Sequence, residues 1–163
     1  MGDADWDVVV IGAGPGGGTA ALHCARLGLR TLILEEHKEI GVPVHCGECL
    51  SELAVQNLEL ELPEEVISLH VKGIRVLFPN KVEKKLTEPG YVLEKHLFEQ
   101  WLIDEAVKEG AHFKSSHKVK GLNKKFQLEN QFSNWEITGK GDSFPINTKI
   151  IIDASGVAGI TSR

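Results

Sequence analysis

The sequence predicts an α/β fold with a parallel sheet, and three observations carry that prediction. Residues 6–11, WDVVVI, form a short, mostly β-branched apolar run of the kind buried on both faces; GAGPGGG follows it and opens a helical pattern; and TLILEE at 31–36 is a second buried run. Strand, glycine turn, helix and strand make a βαβ unit, which is right-handed and sets its two strands parallel.

The remaining elements follow in order. In TAALHCARLGLR, residues Ala20, Ala21, Cys24 and Leu27 recur at helical spacing and Gly28 is the stop. Residues 38–50, with Gly41, Pro43 and Gly47, show neither period and read as a loop, and 51–58 reads as a short helix capped by Ser51. Residues 68–93 read as two or three strands with turns at Pro79-Asn80 and Pro89-Gly90. Residues 95–109 bring Leu97, Phe98, Trp101, Leu102, Ala106 and Val107 to one face of a helix stopped by Gly110. AHFKSS at 111–116 is a third strand, and 117–146 reads as a polar β-meander turning near Asn123 and Gly139-Gly141. KIIIDASG at 149–156 closes the sheet and runs into a turn of small residues.

Composition bounds the function. The chain has 163 residues, 42% apolar and 25% charged, the balance of one ordinary globular domain. A formal charge of -5 offers no basic field, so nucleic acid is not expected as a partner. No apolar run reaches the roughly 18 residues of a spanning helix, and no secretory signal opens the chain, so the expected compartment is the cytoplasm. Three cysteines, Cys24, Cys46 and Cys49, cannot make a disulfide framework.

Gly12, Gly14 and Gly17 spell G-x-G-x-x-G, a weak string by itself in a chain with 17 glycines. Its context is what makes it specific: it follows a strand, opens a helix, and has Glu35 at the end of the next strand. Gly12 permits the tight turn, Gly14 lets the backbone approach a pyrophosphate, and Gly17 lets the helix pack against the strand. The helix N-terminus offers free N–H groups to phosphate. Glu35 can accept both ribose hydroxyls of an adenosine, so the motif is that of a dinucleotide site. About 75 residues, including strands as well as a helix, separate TLILEE from AHFKSS, and the next crossover is a meander. Both features favour FAD over a plain NAD domain.

DVVVIGAGPGGGTAA, Glu35, GVPVHCGE at 41–48, YVLEKHLFEQWLIDEAVKEGA at 91–111 and IIDASG at 151–156 together resemble the N-terminal part of the geranylgeranyl reductase family. That family shares the para-hydroxybenzoate hydroxylase-type FAD-binding fold. The resemblance implies a Rossmann-like FAD/NAD(P)-binding domain over residues 1–163, the N-terminal portion of a longer flavoenzyme, with a β-meander crossover and a small additional sheet at 64–93. It implies an FAD-dependent oxidoreductase that reduces C=C bonds of geranylgeranyl chains on archaeal-type membrane glycerophospholipids. An aromatic hydroxylase or halogenase on the same fold, or a non-catalytic nucleotide-binding fragment, are the alternatives. The electron donor would be NAD(P)H or ferredoxin, and the parent enzyme would touch the membrane peripherally.

Carried over residue by residue, the resemblance assigns Gly12, Ala13, Gly14, Pro15, Gly16 and Gly17 to the pyrophosphate and Glu35 to the ribose. Cys46 and Gly47 would lie beside the flavin, Lys95 would contact the cofactor, and a backbone group of Val119 would meet the adenine. Ala154, Ser155 and Gly156 would form a further cofactor-binding turn, and the second flavin-contacting turn would lie in the remainder of the longer enzyme. Lys95 stands where the family has arginine and lacks its planar fork; Ser155 stands where the family has the aspartate of an A-D-G turn, with Asp153 two residues earlier.

Reduction of an unactivated alkene needs hydride on one carbon and a proton on the other, with water excluded. Cys46 is the candidate proton donor, with a packing role beside the ring as the competing reading. Cys46-Gly47-Glu48-Cys49 also reads as a C-x-x-C, either a redox pair or, with further ligands, a metal site; no metal is expected. Cys24, Phe98 and Trp101 read as core. His70, His96, His112 and His117 lack ligand spacing and read as surface or loop residues, and KVEKK at 81–85 as a solvated hairpin.

Overall fold

The computed structural model of the chain describes residues 5–44, 46, 48–126 and 133–162. Strand β1 (Trp6–Ile11) leads through the glycine turn into helix α1 (Pro15–Arg26) and strand β2 (Thr31–Leu34). Strand β3 (Cys49–Ser51), helix α2 (Glu52–Asn57), strands β4 (Ile67–Val71), β5 (Ile74–Leu77), β6 (Glu83–Leu86) and β7 (Gly90–Leu93), and helix α3 (Lys95–Lys108) follow. The chain then adds β8 (His112–Lys114), β9 (Lys118–Phe126), β10 (Ser133–Lys140) and β11 (Ile146–Asp153). It divides into two units, Met1–Val42 with Glu99–Arg163, and Pro43–Phe98.

In the first unit a six-stranded sheet has the order β8-β2-β1-β11-β10-β9. β8, β2, β1 and β11 are parallel, while β10 and β9 add antiparallel at one edge. The meander of the sequence reading is therefore part of the main sheet. The apolar runs are buried on both faces, as the absence of polar alternation requires: Val9, Ile11, Leu32 and Leu34 join Val119, Ile137 and Ile146 in one cluster, and the alternate residues Val8, Val10 and Ile33 are equally buried. Leu22 of α1 and Leu102, Ile103 and Ala106 of α3 are also fully buried.

The second unit holds a three-stranded sheet, β3-β7-β4, and the separate hairpin β5-β6, all antiparallel. Ser51 caps α2 as read from the sequence, its Oγ accepting the Ala54 N–H at 3.2 Å.

Several local expectations are corrected. Segment 68–93 contains parts of four strands, not two or three, and the loop read at 38–50 ends in a strand, β3, formed by pairing with β7. The buried face of α1 is Gly17, Gly18, Ala21, Leu22 and Ala25, and Leu27 is exposed, because the helix starts at Pro15 and buries its glycines. In α3, Leu97 and Trp101 are half-buried and Val107 is exposed, while Ile103 and the carboxylate-bearing Glu99 take places on the buried face. Asn123 is not at a turn: it sits inside β9, opposite Glu136. β11 begins three residues earlier than read, at Ile146.

Candidate cofactor site

The site is built where parallel strands end. β1 stops at Ile11, and the next amide, Gly12 N–H, donates to the Leu34 carbonyl at 2.8 Å, while Ala154 N–H donates to the Ile11 carbonyl at 2.9 Å. The glycine turn is thereby clamped between the ends of β2 and β11. Gly12 has φ +102°, and a β carbon there would stand 2.4 Å from the Ala154 carbonyl oxygen. At Gly17 a β carbon would be 1.9 Å from the Gly12 carbonyl oxygen. These two glycines are required by the fold itself.

Gly14 and Gly16 differ. A β carbon at Gly14 would meet only Glu99 Oε1, at 3.9 Å, and one at Gly16 nothing within 4 Å. Gly14 is the N-cap of α1 in extended conformation, gives no side-chain cap, and is followed by Pro15 at the first turn. The opening amides of a helix have no intrahelical acceptor, and Gly14 leaves this end uncapped and uncovered. An uncovered helix start with open space over Gly14 and Gly16 fits a pyrophosphate, so the residues present suit FAD.

Glu35 lies just past β2. Its side chain is 12% exposed, and its carboxylate is held from two sides: Ala13 N–H donates to Oε2 at 2.9 Å, and His37 N–H donates to Oε1 at 2.9 Å. His37 Nδ1 is 2.7 Å from the same Oε1. Oε2 keeps acceptor capacity for a hydroxyl, whereas Oε1 is taken up by the His37 amide and ring. Glu36 turns to Lys118, Nζ to Oε2 2.6 Å, and that ammonium holds its carboxyl below the ordinary range.

The 35–37 segment is stitched to the β8–β9 connection. Glu35 N–H donates to the Lys114 carbonyl (2.9 Å), Ser116 N–H to the His37 carbonyl (3.0 Å) and His117 N–H to the Glu35 carbonyl (2.7 Å). His117 lies in the loop between β8 and β9, one of the two places its isolated position in the sequence suggests, but it is buried there, 9% exposed. Its Nδ1 lies 2.7 Å from the Ser115 carbonyl and its Nε2 lies 3.0 Å from Asp142 Oδ1 and 3.2 Å from Ser143 Oγ. Val119 buries its side chain in the core, which leaves its backbone as what β9 can offer a ligand. A groove of about 630 Å³ runs past Val119 between Lys118, Leu122, Trp135 and Thr161.

At the end of β11 the Asp153 carboxylate accepts from Ser155 N–H (3.1 Å) and Oγ (2.5 Å) and from Thr161 N–H (2.7 Å) and Oγ1 (2.7 Å). Burial pushes the Asp153 carboxyl up, but the Ser155 and Thr161 hydrogen bonds outweigh it and bring it from 3.8 to about 2. Ser155 also accepts from Ile160 N–H at 3.2 Å, so Ala154, Ser155 and Gly156, the last with φ +60°, lie in a turn tied from within.

The first unit thus brings together Gly12–Gly17, Glu35, Val119 and Ala154–Gly156. Cys46 and Lys95 belong to the second unit. Cys46 is exposed, with Sγ 3.4 Å from the Glu48 N–H; Lys95 opens α3; Gly47 lies outside the described residues. Sequence reasoning missed His37, His117, Lys118 and Thr161 as parts of this surface, since their partners come from distant segments.

Residues 7–163 match the family model described as FAD dependent oxidoreductase. The chain is 32% identical over 166 residues to a digeranylgeranylglycerophospholipid reductase of Methanococcus vannielii, covering 99% of this chain and 40% of that protein. It is 35% identical over 158 residues to the reductase of that name from Thermoplasma volcanium, covering 93% and 39%. The chain spans about 40% of the length of these curated relatives. Among solved structures, a geranylgeranyl bacteriochlorophyll reductase-like protein from Thermoplasma acidophilum superposes with TM-score 0.72 at 32% identity, over 91% of this chain and 38% of that one. A flavin-dependent brominase shares the fold, with TM-score 0.76 at 23% identity over 97% and 41%. With the family model matching nearly its whole length, the chain belongs to the FAD dependent oxidoreductases.

Proposed function

We propose that residues 1–163 are the N-terminal, FAD-binding portion of a longer enzyme that reduces C=C bonds in geranylgeranyl chains of membrane glycerophospholipids, with 64–93 a small β insertion. The observation that carries the cofactor half is the clamped glycine turn, open over Gly14 and Gly16 and joined to Glu35 through the Ala13 amide. The substrate half rests on the relatives named above.

In this reading Gly12–Gly17 bind the pyrophosphate, Glu35 the ribose and the Val119 backbone the adenine, while Ala154–Gly156 form a further cofactor-binding turn. Cys46, Gly47 and Lys95 serve the flavin end, with Cys46 donating the proton to the alkene. FAD, when bound, supplies the hydride chemistry; the chain's residues hold and orient it. An isoprenoid lipid is the substrate, and the parent enzyme meets it at a membrane surface. No helix among the described residues is long and apolar enough to cross a membrane.

Two measurements test this. The isolated chain is mixed with FAD and freed of excess; a yellow protein with bound flavin is expected, and a colourless one overturns the cofactor assignment. The full-length gene product is then given a geranylgeranyl glycerophospholipid and a chemical reductant without oxygen. Saturation of the chains is expected, whereas turnover that requires oxygen supports the hydroxylase or halogenase alternative.

A further inference from the structure

We propose that His37 is a positioning residue for the dinucleotide, holding the Glu35 carboxylate in the orientation that meets the ribose. The inference rests on the assignment of FAD to this turn.

His37 Nδ1 lies 2.7 Å from Glu35 Oε1, and the His37 amide donates to that oxygen at 2.9 Å. A ring nitrogen so close to a carboxylate oxygen carries a proton, because a lone pair there would face another lone pair. The contact therefore exists for the neutral ring with its proton on Nδ1 and for the imidazolium. Either form of the ring makes the same orienting bond.

The other charged groups of this corner are engaged elsewhere. Lys114 meets Ser143 Oγ at 2.5 Å, His117 meets Asp142 and Lys118 meets Glu36, while the Glu99 carboxylate of α3 lies toward Gly14. The Ala13 amide holds Glu35 Oε2, and His37 fixes the other oxygen, Oε1, with both its amide and its ring. The orientation in which Glu35 meets a ribose is therefore set by His37.

The test is FAD titration of the 163-residue chain, followed by flavin fluorescence. Variants are H37Q, H37R, and H37A with and without free imidazole. H37A is expected to bind about threefold more weakly than the wild type, the scale of a partly exposed polar pair, and free imidazole restores part of the loss. H37Q and H37R keep a donor and lie between H37A and the wild type. The His37 side chain is 58% exposed, so these changes leave the fold in place, which circular dichroism verifies. H37A that binds FAD as the wild type does overturns the proposal, and so does a loss that imidazole leaves unchanged. A wild-type chain that takes up no FAD overturns the underlying cofactor assignment, and this proposal with it.

Discussion

The Ala13 amide donates to Oε2 of Glu35 across 2.9 Å, joining two residues 22 positions apart into one element. The glycine turn and the acid after β2 are thus tied to each other, which under the proposed assignment sets the spacing between the pyrophosphate and ribose positions before any ligand arrives.

E35Q should separate these roles. The single amide oxygen can accept from Ala13 or from His37 but not from both, so the melting temperature should fall modestly. The charged acceptor for the ribose is lost, and a hydrogen bond to a charged group contributes about 1.5–3 kcal/mol. FAD affinity measured by fluorescence titration should fall about tenfold or more.

The glycines should divide into three behaviours. G17A places a β carbon 1.9 Å from the Gly12 carbonyl oxygen, and the variant should lose the folded state or melt far below the wild type. G14A has space in the free protein, with its nearest contact at 3.9 Å, so it should fold normally and lose FAD binding. G16A should keep its stability or gain up to about 1 kcal/mol from better helix propensity. Thermal melts with and without FAD distinguish the three.

Acid should act through Asp153. Its folded-state carboxyl ionises at about 2 instead of the ordinary 3.8. The unfolded chain therefore binds this proton first as pH drops, so the stabilisation is full above about pH 4 and disappears as pH falls toward 2. D153N should melt lower than the wild type at neutral pH and lose part of the pH dependence in that window. Urea unfolding at several pH values measures both.

G141A should loosen the adenosine side from a distance. Gly141 has φ +146°, and a β carbon there would stand 2.6 Å from Cδ2 of the His117 ring. Backbone strain and displacement of a buried ring should cost about 1–3 kcal/mol. Because the His117 amide holds the Glu35 carbonyl, hydrogen exchange at residues 35–37 should speed up along with the loss in melting temperature.

The sequence announced β1, α1 and β2 because their signals are local: β-branched runs, a glycine turn and a helix pattern. The acid at 35 was legible for the same reason, lying at a fixed spacing from the glycines. The buried face of α1 is not legible locally, because Gly17 and Gly18 join the buried stripe and no side chain marks them. β3 has three residues and exists only through its pairing with Tyr91 and Val92. His117 finds Asp142 25 positions away, and Glu36 finds Lys118 across most of the domain, so neither contact leaves a trace in local pattern. Ser155 and Asp153 were noticed as a departure, but the knot they make with Thr161 was not.

β2 and β8 are neighbours in the sheet, Leu32 beside His112, and the Glu35 amide is bonded to the Lys114 carbonyl just past their ends. The chain nonetheless leaves the sheet after β2 and returns at β8 only after passing through the entire Pro43–Phe98 unit. An excursion whose exit and re-entry are fixed side by side can lengthen, shorten or be exchanged at little entropic cost, without shifting the register of the strands that carry it. The sheet that carries the glycine turn is thus closed by its own hydrogen bonds, whatever the length of the chain between β2 and β8.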